Sequence, residues 1–145
     1  MQKQEAVAES LLLVAGSKIC LLGTNAADGF PNIKATMNLR HQGLKTIWSS
    51  TNTSSRRVSQ LVRDNRACVY YVDDQDFKGL MLTGTIELLD DHESRQLLWS
   101  EGAERYYPLG LDDSDYTVLR FTAVKANYYH KLENVTFDVQ DAEAL

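Results

Sequence analysis

The chain has 145 residues, a formal net charge of -5 and a hydrophobic content of 43%, which are the values of one ordinary globular domain. They exclude collagen-like, coiled-coil and disordered chains, and the negative charge argues against nucleic-acid binding, which needs a basic surface. We therefore expect a single domain over residues 1–145, in which any anion site is local.

The first segment predicts a helix. Apolar side chains recur at near-helical spacing in residues 2–16, and Gly16 is placed to end the helix. The apolar run is too short for a signal sequence or a membrane span, so we expect a cytoplasmic protein without membrane association. Cys20 and Cys68 lie in apolar runs without metal-site spacing; we expect reduced thiols, with a disulfide as the alternative.

Seven strand-forming runs, taken as about six strands, are predicted at residues 18–24, 33–40, 45–50, 67–73, 80–89, 116–124 and 126–130. Residues 33–40 alternate strictly between apolar and polar. We expect one row to fill a barrel interior, namely Ile33, Ala35, Met37 and Leu39. The other row is expected on the outer face, namely Lys34, Thr36 and Asn38.

Short helices are predicted at residues 55–63 and from Asp90 to about Trp99, the second beginning with a capping box formed by Asp90 and Glu93. Strands dominate and hairpin-like turns join several of them. The expected fold is therefore mostly β, a small antiparallel barrel with short helices.

A hydroxyl-rich segment followed by two arginines is the most informative part of the chain. Residues 49–57 read Ser-Ser-Thr-Asn-Thr-Ser-Ser-Arg-Arg. The arginines fall in the first turn of a helix, where each cation costs about 0.3 to 1 kcal/mol unless an anion binds. Arg56 and Arg57 therefore indicate a phosphate site. The alternative is that they are solvated, or paired with acids such as Asp73, Asp74 or Asp76.

The same residues carry a resemblance to a known family. Residues 34–37 (Lys-Ala-Thr-Met), 51–52 (Thr-Asn) and 55–57 (Ser-Arg-Arg) resemble the flavin-binding segment of the pyridoxamine 5'-phosphate oxidase-like split barrels, and most closely their short general-stress-protein branch. The resemblance covers roughly residues 18–130. It implies a six-stranded antiparallel Greek-key split barrel that binds FMN at the interface of a homodimer.

The resemblance also implies roles for individual residues. The contacts to phosphate and ribityl oxygens correspond to Ser50, Thr51, Ser55, Arg56 and Arg57. The strand along the isoalloxazine edge, with an arginine of the family replaced by lysine, corresponds to Lys34, Ala35, Thr36 and Met37. The residues that a partner subunit brings near the ring resemble Trp99 and Tyr129.

Two departures from the family bear on activity. The oxidase itself uses an Arg-x-His pair near its C-terminus, where residues 127–131 here read Asn-Tyr-Tyr-His-Lys, so pyridoxamine phosphate oxidation is not expected. A family glutamine that approaches the flavin is absent, with Gly79 near its place. The three histidines are scattered, so no metal site is expected, and no catalytic side chain is assigned.

The expected function is an FMN-dependent oxidoreductase acting on a small molecule, with a nicotinamide as a candidate electron donor. The alternative is a non-catalytic module that binds or senses with flavin, haem or a deazaflavin, because fold and cofactor do not fix the reaction.

Overall fold

The computed structural model describes residues 1–143, so residues 144 and 145 of the predicted domain lie outside the described part. Over this range one antiparallel sheet is built from β1 (Ile19–Asn25), β2 (Pro31–Met37), β3 (Arg40–Gln42), β4 (Thr46–Asn52), β5 (Arg66–Asp73), β6 (Lys78–Leu89), β7 (Tyr116–His130) and β8 (Glu133–Asp138). The helices are α1 (Lys3–Gly16), α2 (Arg56–Arg63), α3 (His92–Leu98) and α4 (Val139–Glu143).

The strands follow the order β2-β1-β5-β6-β7-β4-β3, and β8 pairs with the second half of β7. The sheet curls around a core that contains Leu22, Val69, Leu82 and Phe121, and α1 packs on it through the fully buried Val14. The mostly β split-barrel prediction is confirmed, with eight strands over residues 1–143 instead of about six.

The barrel is open between β2 and β4. Within residues 1–143 the only hydrogen bond between these two strands joins the hydroxyls of Thr36 and Ser49. Asn38 ends β2 because its side-chain amide donates to the carbonyl oxygens of Val14 and Ser17, at 2.9 and 2.8 Å. The hairpin predicted from residues 33–50 therefore forms only between β3 and β4, across Gly43 with φ of 57°.

The alternation along β2 is present, but its two rows face opposite to the prediction. Ile33 is 66% exposed and Met37 is 50% exposed, while Thr36 and Asn38 contact Ser49 and Tyr71 on the inner side. The other two residues of the predicted interior row also lie outside the barrel core. Ala35 is exposed, and Leu39 packs on a second apolar cluster.

The apolar row of β2 belongs to a larger exposed surface. Strand registers carry it across β1, β5, β6 and β7 on one face of the sheet. We call this surface the outer apolar face, and it comprises Ile19, Leu21, Ile33, Ala35, Met37, Tyr70, Val72, Met81 and Tyr129.

Three other features differ from the predictions. Helix α3 is capped by Asp91, whose carboxylate accepts from the Ser94 N–H at 3.0 Å, and not by Asp90. Strand β7 runs without interruption past Lys125, and β8 and α4 follow it.

Within residues 1–143 no helix has the length and apolar character needed to cross a membrane.

Candidate functional site

A cleft of about 240 Å³ lies at the opening between β2 and β4. Its lining residues are Ile19, Ala35, Thr36, Met37, Ser50, Thr51, Asn52, Arg57, Tyr106 and Tyr107. The structure therefore brings together most of the site residues that were predicted on β2, on β4 and at the start of α2.

The loop between β4 and α2 is held by one carboxylate. Asp115 accepts hydrogen bonds from the Ser54 N–H and the Asn52 side-chain amide, both at 2.8 Å. These bonds, with the Ser54 N–H as the largest cause, hold the pKa of Asp115 below its ordinary value. The hydroxyl of Thr53 is taken up by Thr117 at 2.6 Å. The loop thus fixes where α2 begins and which hydroxyls face the cleft.

The hydroxyls of Thr51 and Ser55 come together at the start of α2, where Thr51 and Arg57 line the cleft and Ser55 does not. The side-chain oxygens of Thr51 and Ser55 are 3.3 Å apart, and Ser55 occupies the N-cap position without making a side-chain capping bond. Arg57 Nη2 donates to the Ala35 carbonyl oxygen at 3.5 Å, which links α2 to β2. Burial lowers the pKa of the Arg57 guanidinium, but an arginine stays cationic at any physiological pH.

The arginines at this helix start lack acidic partners. The first turn of α2 carries no acid, and within residues 1–143 neither Arg56 nor Arg57 forms an ion pair. Asp76, one of the acids considered, pairs instead with Lys78 at 3.7 Å and with His130 at 3.1 Å. The ion-paired alternative is therefore wrong, and the charge of the two arginines is uncompensated by an acid of the described chain.

Lys34 and Arg56 lie beside the cleft and do not line it. They line a smaller hollow of about 100 Å³ that also includes Arg57 and Gln60. Lys34 projects from β2 on the side opposite to Ala35, as the alternation requires. Three cations therefore line one hollow beside α2 in a chain whose net charge is -5.

Trp99 and Tyr129 do not line the cleft of their own chain. Trp99 packs on Tyr107 and Tyr116, with ring centroids at 6.3 and 5.6 Å. Tyr129 lies on the outer apolar face, where its hydroxyl accepts from Tyr70 at 2.9 Å. A contribution of either residue from a partner subunit stays a prediction.

Gly79 leaves the space that the Tyr70–Tyr129 pair occupies. A Cβ atom at residue 79 would lie 2.7 Å from both Tyr129 Cε1 and the Tyr70 hydroxyl, so a larger side chain cannot share this place without moving them. The absence of the family's glutamine therefore coincides with the presence of two tyrosines over the same backbone.

Sequence reasoning missed the tyrosines of the cleft wall. Tyr107 is 4% exposed and stacks on Tyr116 at 4.4 Å, and its hydroxyl donates to Ser50 Oγ at 3.1 Å. Tyr106 lines the cleft mouth with 58% of its surface exposed. The only signal in the sequence is the pair of adjacent tyrosines, which does not by itself indicate a site wall.

A larger open hollow of about 720 Å³ lies elsewhere, near the turn between β1 and β2. Its two arginines already have acceptors, since Arg66 binds the Asp64 carboxylate at 2.9 Å and Arg63 donates to the Asn25 carbonyl oxygen at 3.4 Å. Because Asp64 neutralises Arg66, this hollow is a weaker anion site than the cleft despite its size.

Comparison with known proteins agrees with this architecture. The family described as "Pyridoxamine 5'-phosphate oxidase like" matches residues 5–144. A Clostridium acetobutylicum protein related to general stress protein 26 of B. subtilis, of the pyridoxinephosphate oxidase family, is 52% identical over 97% of this chain and 99% of its own, with a TM-score of 0.90. None of the curated proteins matches the chain.

More distant structures share the fold. General stress protein 26 from Bacillus anthracis is 16% identical, with a TM-score of 0.74 over 94% of this chain and 100% of its own. A heme binding protein from Mycobacterium smegmatis is 17% identical, with a TM-score of 0.79 over 96% of this chain and 60% of its own. The family match over nearly the whole sequence, on a split barrel with a basic helix start at its opening, shows that the chain belongs to the pyridoxamine 5'-phosphate oxidase-like family.

Proposed function

We propose that this protein is an FMN-binding oxidoreductase whose cleft seats the FMN phosphate at the start of α2. The observation that carries the proposal is Arg57, a half-buried guanidinium at a helix N-terminus with no acid to balance it. Both its burial and the helix dipole disfavour a cation at this place, and a bound phosphate reverses the sign of both effects.

The residues present fit the parts of FMN. The hydroxyls of Thr51 and Ser55 suit phosphate and ribityl oxygens, and the planar fork of Arg57 matches phosphate oxygens. β2 is an edge strand of the hydrogen-bonded sheet, so its backbone offers donors and acceptors to a polar ring edge. The exposed Met37 and Ile19 offer apolar surface to a flat ring.

Bound FMN would supply the electron-transfer chemistry, and the protein would bind and orient it. The cleft lining within the described chain includes no histidine or cysteine, but it does include Met37, Tyr106 and Tyr107, residue types that can bind haem iron. The preference for FMN over haem therefore rests on the helix start, which suits a phosphate. The heme binding relative at 17% identity shares the fold alone.

A titration with FMN, riboflavin and haemin tests the binding part. We expect FMN to bind, with quenched flavin fluorescence and a raised melting temperature, and to bind more tightly than riboflavin because only FMN carries the phosphate. Equal affinity for FMN and riboflavin would contradict a phosphate site at the start of α2. Tight haemin binding without FMN binding would favour the haem alternative.

A second experiment addresses the reaction. We expect anaerobic mixing of the FMN complex with NADH or NADPH to bleach the flavin absorption with at least one donor. If the flavin stays oxidised with both, the non-catalytic binding or sensing module becomes the better description.

We also propose that the protein is a homodimer. The cleft opens onto the outer apolar face, because Ile19, Ala35 and Met37 belong to both. Contiguous apolar surface of this kind marks an interaction site. A second copy related by a two-fold axis would cover this face and the cleft together, and Tyr129 or Trp99 would then reach the partner's cofactor.

Mixing two defective variants tests the shared site. In a heterodimer of Arg57→Ala and Tyr129→Ala chains, one site carries both defects and the other carries neither, if Tyr129 acts on the partner's cleft. Random exchange of subunits should therefore restore tight FMN binding at about a quarter of the sites. No restoration, although affinity capture of differently tagged chains shows that the heterodimer forms, would place Tyr129 outside the partner's site. A monomer in saturating FMN would contradict the dimer itself.

A further inference from the structure

We infer that Tyr107 is a positioning residue that fixes the Ser50 hydroxyl as a hydrogen-bond donor to an acceptor oxygen of the bound ligand. The inference rests on the proposed FMN site and adds a residue that the family resemblance did not supply.

The Tyr107 ring is held rigidly. It is 4% exposed, stacks on Tyr116 with an interplanar angle of 25°, and lies 6.3 Å from the Trp99 ring. Such packing fixes the ring plane and hence the position of its hydroxyl. The hydroxyl oxygen is therefore presented to β4 from a fixed scaffold, at the wall of the cleft.

The direction of the hydrogen bond determines what Ser50 can do. The Tyr107 hydroxyl donates to Ser50 Oγ at 3.1 Å. A serine hydroxyl has one proton and two lone pairs, so a serine that accepts from tyrosine keeps its own proton to donate. Among residues 1–143 the Ser50 side chain has no second protein partner in its hydrogen bonds, and Ser50 lines the cleft.

Tyr107 keeps its proton under ordinary conditions. Burial is the largest cause that raises the pKa of the Tyr107 phenol above its ordinary value, so the phenol is a donor throughout the neutral range. With the Tyr107 hydroxyl donating to Ser50, the Ser50 proton is left for the ligand, and hydrogen bonds in such a chain strengthen one another.

This arrangement selects the chemistry of the ligand atom. An acceptor oxygen of the phosphate, of the ribityl chain or of a ring carbonyl fits the donating Ser50 hydroxyl. FMN carries all three, and riboflavin lacks only the phosphate. The two flavins therefore tell whether Ser50 binds the phosphate or an oxygen that both flavins share.

The test uses two matched phenol-to-phenyl changes in one aromatic stack. Tyr107→Phe removes the donor to Ser50. Tyr116→Phe removes a hydroxyl that donates to the Arg95 carbonyl oxygen at 2.9 Å, away from the cleft. We expect Tyr107→Phe to weaken FMN binding about 3- to 10-fold, the worth of one hydrogen bond, and Tyr116→Phe to change it less than about 2-fold. Melting temperatures show whether the two variants lose similar stability.

A double-mutant cycle separates action through Ser50 from a general effect. If Tyr107 acts through Ser50, the Tyr107→Phe/Ser50→Ala protein should bind FMN no more weakly than Ser50→Ala alone. A loss for FMN without a loss for riboflavin identifies the phosphate, and equal losses identify an oxygen that both flavins carry, either a ribityl oxygen or a ring carbonyl.

Two results would overturn the inference while leaving the proposed function intact. One is that Tyr107→Phe binds FMN like wild type, and the other is that its effect adds in full to that of Ser50→Ala. A wild-type protein that does not bind FMN would instead refute the proposed function, and this inference with it.

Discussion

Removing an arginine from the start of α2 should have opposite effects on the free protein and on its FMN complex. Arg56 is exposed at the positive end of the helix dipole, so Arg56→Ala should stabilise the free protein by about 0.3 to 1 kcal/mol at low ionic strength. In a domain of 145 residues this corresponds to a melting temperature higher by about 1 to 3 °C. Arg57→Ala should gain less, because it also loses the bond to the Ala35 carbonyl oxygen.

The same substitutions should weaken the complex. Loss of a charge-assisted hydrogen bond costs about 1.5 to 3 kcal/mol, so Arg57→Ala should raise the Kd for FMN about 10- to 150-fold. Arg56 lies in the adjoining hollow and should have the smaller effect. The stabilisation that a fixed FMN concentration confers would shrink accordingly, since it depends on the ratio of ligand concentration to Kd.

Thermal melts with and without FMN at low ionic strength measure both effects, and Arg63→Ala is the matched control. Arg63 lies in the last turn of the same helix, where the dipole favours a cation. Its removal should lower the melting temperature of the free protein and leave FMN affinity unchanged. The reasoning is refuted if Arg56→Ala destabilises the free protein as Arg63→Ala does, and if neither Arg56→Ala nor Arg57→Ala alters FMN affinity.

Two further predictions concern the fold around the site. Gly84→Ala should lower the free energy of unfolding by at least about 1 to 3 kcal/mol, because the new Cβ would lie 1.9 Å from the Thr122 carbonyl oxygen. Gly16→Ala is the control and should be tolerated, because its Cβ meets no atom within 4 Å. Urea unfolding compares the two variants, and equal midpoints would contradict the packing around Gly84. Asp115→Asn should lower the melting temperature near neutral pH. Because the folded pKa of Asp115 lies below its ordinary value of 3.8, its carboxylate stabilises above that pH and the benefit is lost as pH falls through the folded pKa. The difference between wild type and Asp115→Asn should therefore narrow in acid, and a difference independent of pH would argue against the loop contacts.

The alternation of residues 33–40 shows what a sequence pattern can and cannot decide. A period of two predicts a strand, but it does not say which row faces the core. The structure reverses the expected faces because β2 lies at the sheet edge, with the hydroxyl of Ser49 inside and open space outside. In the proposed homodimer a partner would cover Ile33 and Met37, which are largely exposed in the single chain, and a single chain's pattern does not reveal such a surface.

The break expected near Lys125 has a similar origin. Val124 and Lys125 are both exposed, which interrupts the alternation. The strand continues because the register between β6 and β7 shifts at Thr83 and Gly84, which accommodates one extra residue of β7. A bulge of this kind changes the pattern without ending the strand.

The candidate site was predictable where its chemistry is local and was missed where it depends on distant contacts. The hydroxyls and arginines of residues 49–57 lie along one strand end and one helix start, so their sequence alone indicates an anion site. Tyr107 reaches Ser50 across 57 residues of chain, and Asp115 reaches Ser54 across 61. No local pattern encodes these two contacts, which depend on the pairing of β4 with β7.

A crystal structure of the FMN complex tests the central claim most directly. We expect the phosphate oxygens within hydrogen-bond distance of the Arg57 guanidinium and of the Thr51 or Ser55 hydroxyl. Phosphate bound instead in the larger hollow beside Arg63 and Arg66, with Arg57 making no contact to the ligand, would contradict it.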